Sequence, residues 1–143
     1  MNRLHQFDKV EIVRIECPTK SYIVLDEMVE HVKSILIELE LPFRILRLCG
    51  GDLGFTSAIT YDFEVFSKAQ NKWLEVSSVS NFESYQSNRL KLRIDYGDKT
   101  KKFAHTLNGS ALALPRIIAA LIENNRTDKG ITIPKALHNY TGF

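Results

Sequence analysis

The segment from Arg3 to Glu11, RLHQFDKVE, holds the residue types best suited to specific chemistry: a cation, an aromatic face and a carboxylate. In an extended strand Phe7 and Glu11 point the same way, roughly 13 Å apart at about 3.3 Å per residue. Read without context, Phe7 is a core aromatic and Glu11 a solvated strand residue. On the same footing Glu75 is an outward carboxylate on a polar strand, and Arg116 is an arginine on a helix surface. Several other chemistries find no support. No G-x-x-x-x-G-K-[ST] phosphate loop or G-x-S-x-G nucleophile elbow occurs, and Gly50-Gly51 lacks a surrounding βαβ unit. His5, His31, His105 and His138 are scattered without ligand spacing. Cys17 and Cys49 have neither disulfide-scaffold nor zinc spacing, which suits a reducing cytosol.

Elements that could position these residues follow from periodicity. Phe7 to Glu16 alternates as a strand, with Val10 and Ile12 on one face and Phe7, Lys9, Glu11, Val13 and Ile15 on the other. Cys17-Pro18-Thr19-Lys20 breaks it. From Ser21 to Glu40 the period becomes helical, and Leu25, Met28, Val29, Val32, Ile35, Leu36 and Leu39 form one apolar stripe. A short strand over 43–48 and a loop at Cys49–Gly54 come next. Strands over 60–67 and 72–80 then flank a turn at Lys68–Asn71. A short helix is expected over 82–88, then a hairpin of 90–96 with 101–107 around Gly97–Thr100, and a long helix over 112–124. The expected class is α+β: an antiparallel β-sheet with flanking helices on one face, in a single domain.

Composition narrows the partners. The chain of 143 residues is 44% hydrophobic and 25% charged, the profile of a soluble globular domain. With 19 basic and 17 acidic side chains the net charge is only +2, so any RNA contact must be local. No apolar run approaches the roughly 20 residues that span a bilayer, and the N-terminus has no signal-peptide h-region, so no membrane partner is expected.

Three ordered segments carry a resemblance that changes this weighing. Arg3 with HQFDKVE is similar to the second half of motif 2 of seryl-tRNA synthetases, a family of class II aminoacyl-tRNA synthetases. WLEVSSVSNFESYQSNR, from Trp73, resembles that family's E-[IV]-S-S-x-S-N motif. HTLNGSALALPR, from His105, resembles its motif 3, and the ENN, IPKAL and terminal Gly-Phe segments follow in the family's order. The resemblance covers the whole chain, residues 1–143, as the C-terminal part of a seryl-tRNA synthetase catalytic domain.

The resemblance implies a serine-tRNA ligase: ATP-dependent activation of L-serine to seryl-adenylate, then transfer to tRNA(Ser), in a cytoplasmic enzyme. It implies ATP binding by Arg3, Leu4, Phe7, Glu75, Val76, Ser77, Ser78 and Arg116. Phe7 would stack on adenine beside the Leu4 backbone, Arg3 would contact phosphate, and Arg116, the catalytic residue, would clamp the γ-phosphate. It implies serine binding by Glu11, Asn108 and Ser110, and Mg2+ ligation by Glu75 and Ser78. A carboxylate and a hydroxyl suit a hard cation that also binds substrate phosphates. Ala111 and Pro115 stand where motif 3 often has glycine and are read as tolerated variants. Pro115 requires a helix to begin close by.

The resemblance also implies parts outside this sequence: a tRNA-gripping helical arm, a dimer-forming motif 1 and the first strand of motif 2 with its arginine. The expected reading is therefore a segment of a homodimeric synthetase, inactive alone and prone to self-association through an exposed strand edge. The alternatives are a truncated paralogue that binds ATP or serine without aminoacylation, or a remnant without ligand. One geometric conflict remains. Glu75 and Ser78 are three apart and would face opposite ways in a regular strand. Sharing one ion predicts a β-bulge between them, or a Ser78 that acts through water.

Overall fold

The computed structural model describes residues 4–97 and 100–142. Its centre is a five-stranded antiparallel sheet in the order β1-β7-β4-β3-β2, where β1 is Lys9–Glu16, β2 Phe43–Arg47, β3 Ile59–Ser67, β4 Lys72–Asn81 and β7 His105–Ala113. Helix α1 (Ser21–Glu38) and helix α3 (Leu114–Asn124) pack into one apolar cluster with the sheet. The expected α+β class with helices on one face is what the chain adopts. Short elements decorate it: α2 (Tyr85–Leu90), the hairpin β5 (Arg93–Asp95) with β6 (Lys101–Phe103), the small pair β8 (Arg126–Thr127) and β9 (Gly130–Ile131), a 3-10 turn at Lys135–Leu137 and α4 (His138–Thr141).

The helical stripe read from the sequence is the buried face of α1. Leu25, Met28, Val32, Leu36 and Leu39 are all buried, joined by Val24, and Val29 and Ile35 pack at the margin. They meet Phe63 and Val65 of β3, Val79 of β4 and Leu107 of β7, which alternation sends to one side of the sheet. The cross-strand register adds Ile12 of β1 to that side, opposite Gly109 and Val79. No helix among the described residues is long and apolar enough to cross a membrane.

Several boundaries differ from the expectations. β1 begins at Lys9, so Phe7 precedes the strand, and the β1–β7 register shifts between Lys9 and Glu11. Phe7 and Glu11 therefore do not sit on one regular strand. The expected strand over 101–107 is two strands: β6 ends at Phe103, and β7 runs from His105 through Ala113. Gly109, between the expected strand and helix, lies in β7, where the backbone of β4 passes too close for a side chain. A Cβ there would stand 2.8 Å from Val79 Cγ2 and 3.1 Å from the Ser78 carbonyl oxygen. The short helix starts at Tyr85, three residues late, since Glu83 takes a left-handed φ of 46° in the preceding turn. The last long helix starts at Leu114 with Pro115 in its first turn, as that proline requires. Asp98 and Lys99 of the expected hairpin turn lie outside the described residues.

β1 forms one edge of the sheet in the described residues, and its Val10, Val13 and Ile15 are 53%, 65% and 57% exposed. On the other flank of β7 a buried polar cluster ties helix to sheet. Ser21 at the start of α1 lies 2.8 Å from Nδ1 of His105 and accepts from Asn81 Nδ2 at 3.2 Å. Burial holds the His105 imidazole below its ordinary pKa, against a smaller upward pull from Glu83.

Two outcomes follow. Gly109→Ala forces a methyl group against backbone and should cost about 1–3 kcal/mol, seen as a lower midpoint in denaturant melts. His105 should make the fold acid-sensitive. Its pKa is lower folded than unfolded, so below pH about 6.5 the unfolded chain binds protons the native state refuses, and stability falls. Thermal melts should show a loss between pH 7.5 and 5.5 that is smaller in His105→Gln.

Candidate functional site

The strand pairings sort the side chains of the sheet into two faces. Across from the helix-covered face, β3 presents Thr60, Asp62, Glu64 and Phe66, whose partners on β4 are Ser80, Ser78, Glu75 and Trp73. On β7 the same side carries Asn108, opposite Ser80, and Ser110, opposite Glu11 of β1. The face turned away from α1 and α3 is thus largely polar, and it holds Glu11, Asn108, Ser110, Glu75 and Ser78 together.

This arrangement depends on an irregularity in β4. Phe63 pairs with Ser77 and Glu64 with Glu75, so Val76 is an extra residue without a partner on β3. Such a β-bulge shifts the alternation by one, and Glu75 and Ser78 come to share a face although they are three apart. Val76 itself is 1% exposed and joins the apolar cluster. The bulge expected between Glu75 and Ser78 is present, and an unbroken ladder with the two on opposite faces is not what the chain forms.

A cavity of about 370 Å³ opens beside the bulge, lined by Leu4, Phe7, Lys9, Glu75, Val76, Ser77, Ser110, Ala113, Pro115 and Arg116. That volume lies in the range of small-molecule sites. Ser77 is buried and donates its hydroxyl to the Ser110 carbonyl oxygen at 2.5 Å, which ties β4 to β7 at the cavity floor. Ser110 Oγ donates to Glu11 Oε2 at 3.3 Å, and Lys9 Nζ stands 3.0 Å from the same oxygen. Arg116, in the first turn of α3, donates from one terminal nitrogen to the Glu75 carbonyl oxygen. Its guanidinium therefore sits over the bulge.

Electrostatics on this face are set by crowded carboxylates. Glu75 keeps an exposed edge, yet partial burial raises its pKa, and Asp62 and Glu64 push the same way while Arg116 and Lys9 oppose them. Asp62 is raised first by burial, with smaller contributions from Glu64 and Asp52, against a lowering hydrogen bond from Ser78. Like charges forced together in a partly dry setting favour a bound cation. Among the described residues no three His, Cys, Asp or Glu side chains converge to hold a metal alone.

Of the residues singled out from sequence, Leu4, Phe7, Glu75, Val76, Ser77, Ser110 and Arg116 line the cavity. Glu11 is outside the lining but bonded to Ser110, whereas Asn108 and Ser78 lie further along the polar face. Arg3 lies outside the described residues. Lys9 and Asp62 were not anticipated. The alternation Tyr61-Asp62-Phe63-Glu64-Val65 puts two carboxylates on the face opposite two core side chains, and that pattern was the available signal for Asp62.

With this geometry established, comparison with known proteins is decisive. The family described as tRNA synthetase class II core domain (G, H, P, S and T) matches residues 1–125. The chain belongs to that family. Within it, the resemblance is to seryl-tRNA synthetases. A serine--tRNA ligase of Salinibacter ruber is 57% identical over 100% of the chain and 34% of its own length. One from Chlorobaculum parvum is 50% identical over 99% of the chain and 34% of its length. Seryl-tRNA synthetase from Pyrococcus horikoshii, solved with ATP, superposes with a TM-score of 0.94 at 39% identity, covering 99% of the chain and 32% of that protein. The cytoplasmic serine-tRNA ligase of Naegleria fowleri, solved with AMP, gives 0.90 at 30% identity, covering 99% and 34%. The chain thus spans about a third of the length of the relatives it matches.

Proposed function

We propose that this chain supplies the adenylate-binding part of a serine-tRNA ligase site, within a longer protein of the kind its relatives form. The observation that carries this reading is the cavity itself. An aromatic, a carboxylate at the bulge, a hydroxyl and a guanidinium line one space, and Glu11 is hydrogen-bonded to that hydroxyl. A ligand that joins a base, a phosphate and an amino acid would find a partner for each part among these groups. Relatives solved with ATP and with AMP support nucleotide as the occupant.

In the reaction proposed, the serine carboxylate attacks the α-phosphorus of ATP and pyrophosphate leaves, giving seryl-adenylate. A terminal ribose hydroxyl of tRNA(Ser) then takes the seryl group and AMP leaves. Phe7 stacks on adenine next to the Leu4 backbone. Arg3 and Arg116 hold phosphate, and Arg116 stabilises charge that builds on the departing pyrophosphate. Val76 and Ser77 offer backbone along the nucleotide. Glu11 accepts from the serine ammonium and hydroxyl, Ser110 bonds that hydroxyl, and Asn108 borders the same pocket. Positioning carries most of the rate, and no side chain forms a covalent intermediate.

The residues present also fit Mg2+. The bulge gives Glu75 and Ser78 one face, on which burial and neighbouring carboxylates raise the Glu75 pKa, a setting that a bound cation relieves. Glu75 and Ser78 would hold the ion, with water and ATP oxygens completing its shell; bound there it neutralises phosphate charge. The whole protein is proposed as a cytoplasmic homodimer. Exposed apolar side chains on the edge strand β1 support association of that strand with further chain.

Glu11 provides the test. In a full-length synthetase carrying these residues, Glu11→Gln removes the charge that pairs with the ammonium. KM for serine should rise at least about tenfold, a loss of more than 1.4 kcal/mol, while KM for ATP changes little. A raised KM for ATP with serine unaffected would give Glu11 the wrong role.

A further inference from the structure

Asp62 is a partly buried carboxylate that the proposed reaction leaves without a task. It stands directly opposite Ser78 in the β3–β4 pairing, and the Ser78 hydroxyl lowers its pKa against the upward pull of burial. Its Oδ1 is enclosed yet has no hydrogen-bond partner in the described structure. A buried carboxylate oxygen without a partner is costly, so a purely architectural role is a poor account of it. Two neighbouring polar groups of this face are committed elsewhere. Glu64 accepts from Arg44 Nε at 2.6 Å, and the Ser80 hydroxyl is paired with that of Thr60 at 2.8 Å.

A serine hydroxyl ligates a cation through an oxygen lone pair, and its single proton must then point away from the ion. Ser78 therefore needs an acceptor on its far side. We propose that Asp62 is a positioning residue that takes the Ser78 proton and so turns the Ser78 Oγ lone pairs toward the divalent cation shared with Glu75. The bulge at Val76 makes this possible, because it brings Glu75 to the face where Asp62 and Ser78 already pair. This inference rests on the metal reading given under the proposed function. It differs from that reading in adding a residue that does not itself touch the ion but fixes the one that does.

The experiment is Mn2+ binding, followed by electron paramagnetic resonance, to the full-length protein with a non-hydrolysable ATP analogue. Asp62→Ala should weaken Mn2+ binding about 10–100-fold, the usual effect of removing a group that orients a ligand. Asp62→Asn keeps an acceptor oxygen and should recover most of that loss. If Asp62→Ala does not fold, Asp62→Ser, too short to reach the hydroxyl, carries the same expectation. Because Asp62 acts through Ser78, the double variant Asp62→Ala/Ser78→Ala should bind no more weakly than Ser78→Ala alone. An affinity for Asp62→Ala within about twofold of the parent, or losses that multiply in the double variant, would overturn the proposal. A Ser78→Ala protein that binds Mn2+ as well as the parent would instead remove the shared metal site. The two failures are thereby separable.

Discussion

One unpaired residue governs the site. Were Val76 to take a partner on β3, the β4 ladder opposite Phe63 and Glu64 would run unbroken, and the side chains on one flank of that point would change faces. Glu75 would then turn into the apolar cluster under α1 and α3, where a carboxylate is costly, or Ser78 would leave the polar face. With the bulge, Val76 stays in the core while Glu75 and Ser78 share the polar face. Core packing and site geometry are met by the same ten residues of β4.

The rest of the site is arranged around that strand. Gly109 lets β7 approach β4 closely enough for Ser77 to reach the Ser110 carbonyl, and this bond sets Ser110 beside Glu11. Pro115 starts α3 at the end of β7, which delivers Arg116 to the Glu75 backbone. The face therefore combines crowded carboxylates, raised by burial and by one another, with guanidinium and ammonium groups at the margin. Such a pattern suits a ligand that brings both phosphate and cation, since each offsets a charge the protein leaves in place.

Much of the fold was legible because apolar periodicity reports burial directly. The α1 stripe and the alternation of β3 are buried where the pattern puts them. What misled was backbone chemistry that periodicity does not see. The expected strand stops at Leu107, short of Gly109 and its close strand contact, and the left-handed Glu83 delays α2. In the site, Phe7, Glu75, Ser110 and Arg116 were legible through motif resemblance, and the bulge through the conflict between a spacing of three and a period of two. Lys9 and Asp62 were missed because a lone charged residue on a strand gives no sign of its cross-strand partner. Only the register reveals that Asp62 faces Ser78.

The most direct measurement is a crystal structure of the full-length protein with a non-hydrolysable seryl-adenylate analogue. The account predicts adenine stacked on Phe7, phosphate near Arg116, and the Glu11 carboxylate within hydrogen-bonding distance of the serine ammonium. An analogue bound away from this cavity, or bound in it with the base remote from Phe7 and the ammonium remote from Glu11, would contradict it.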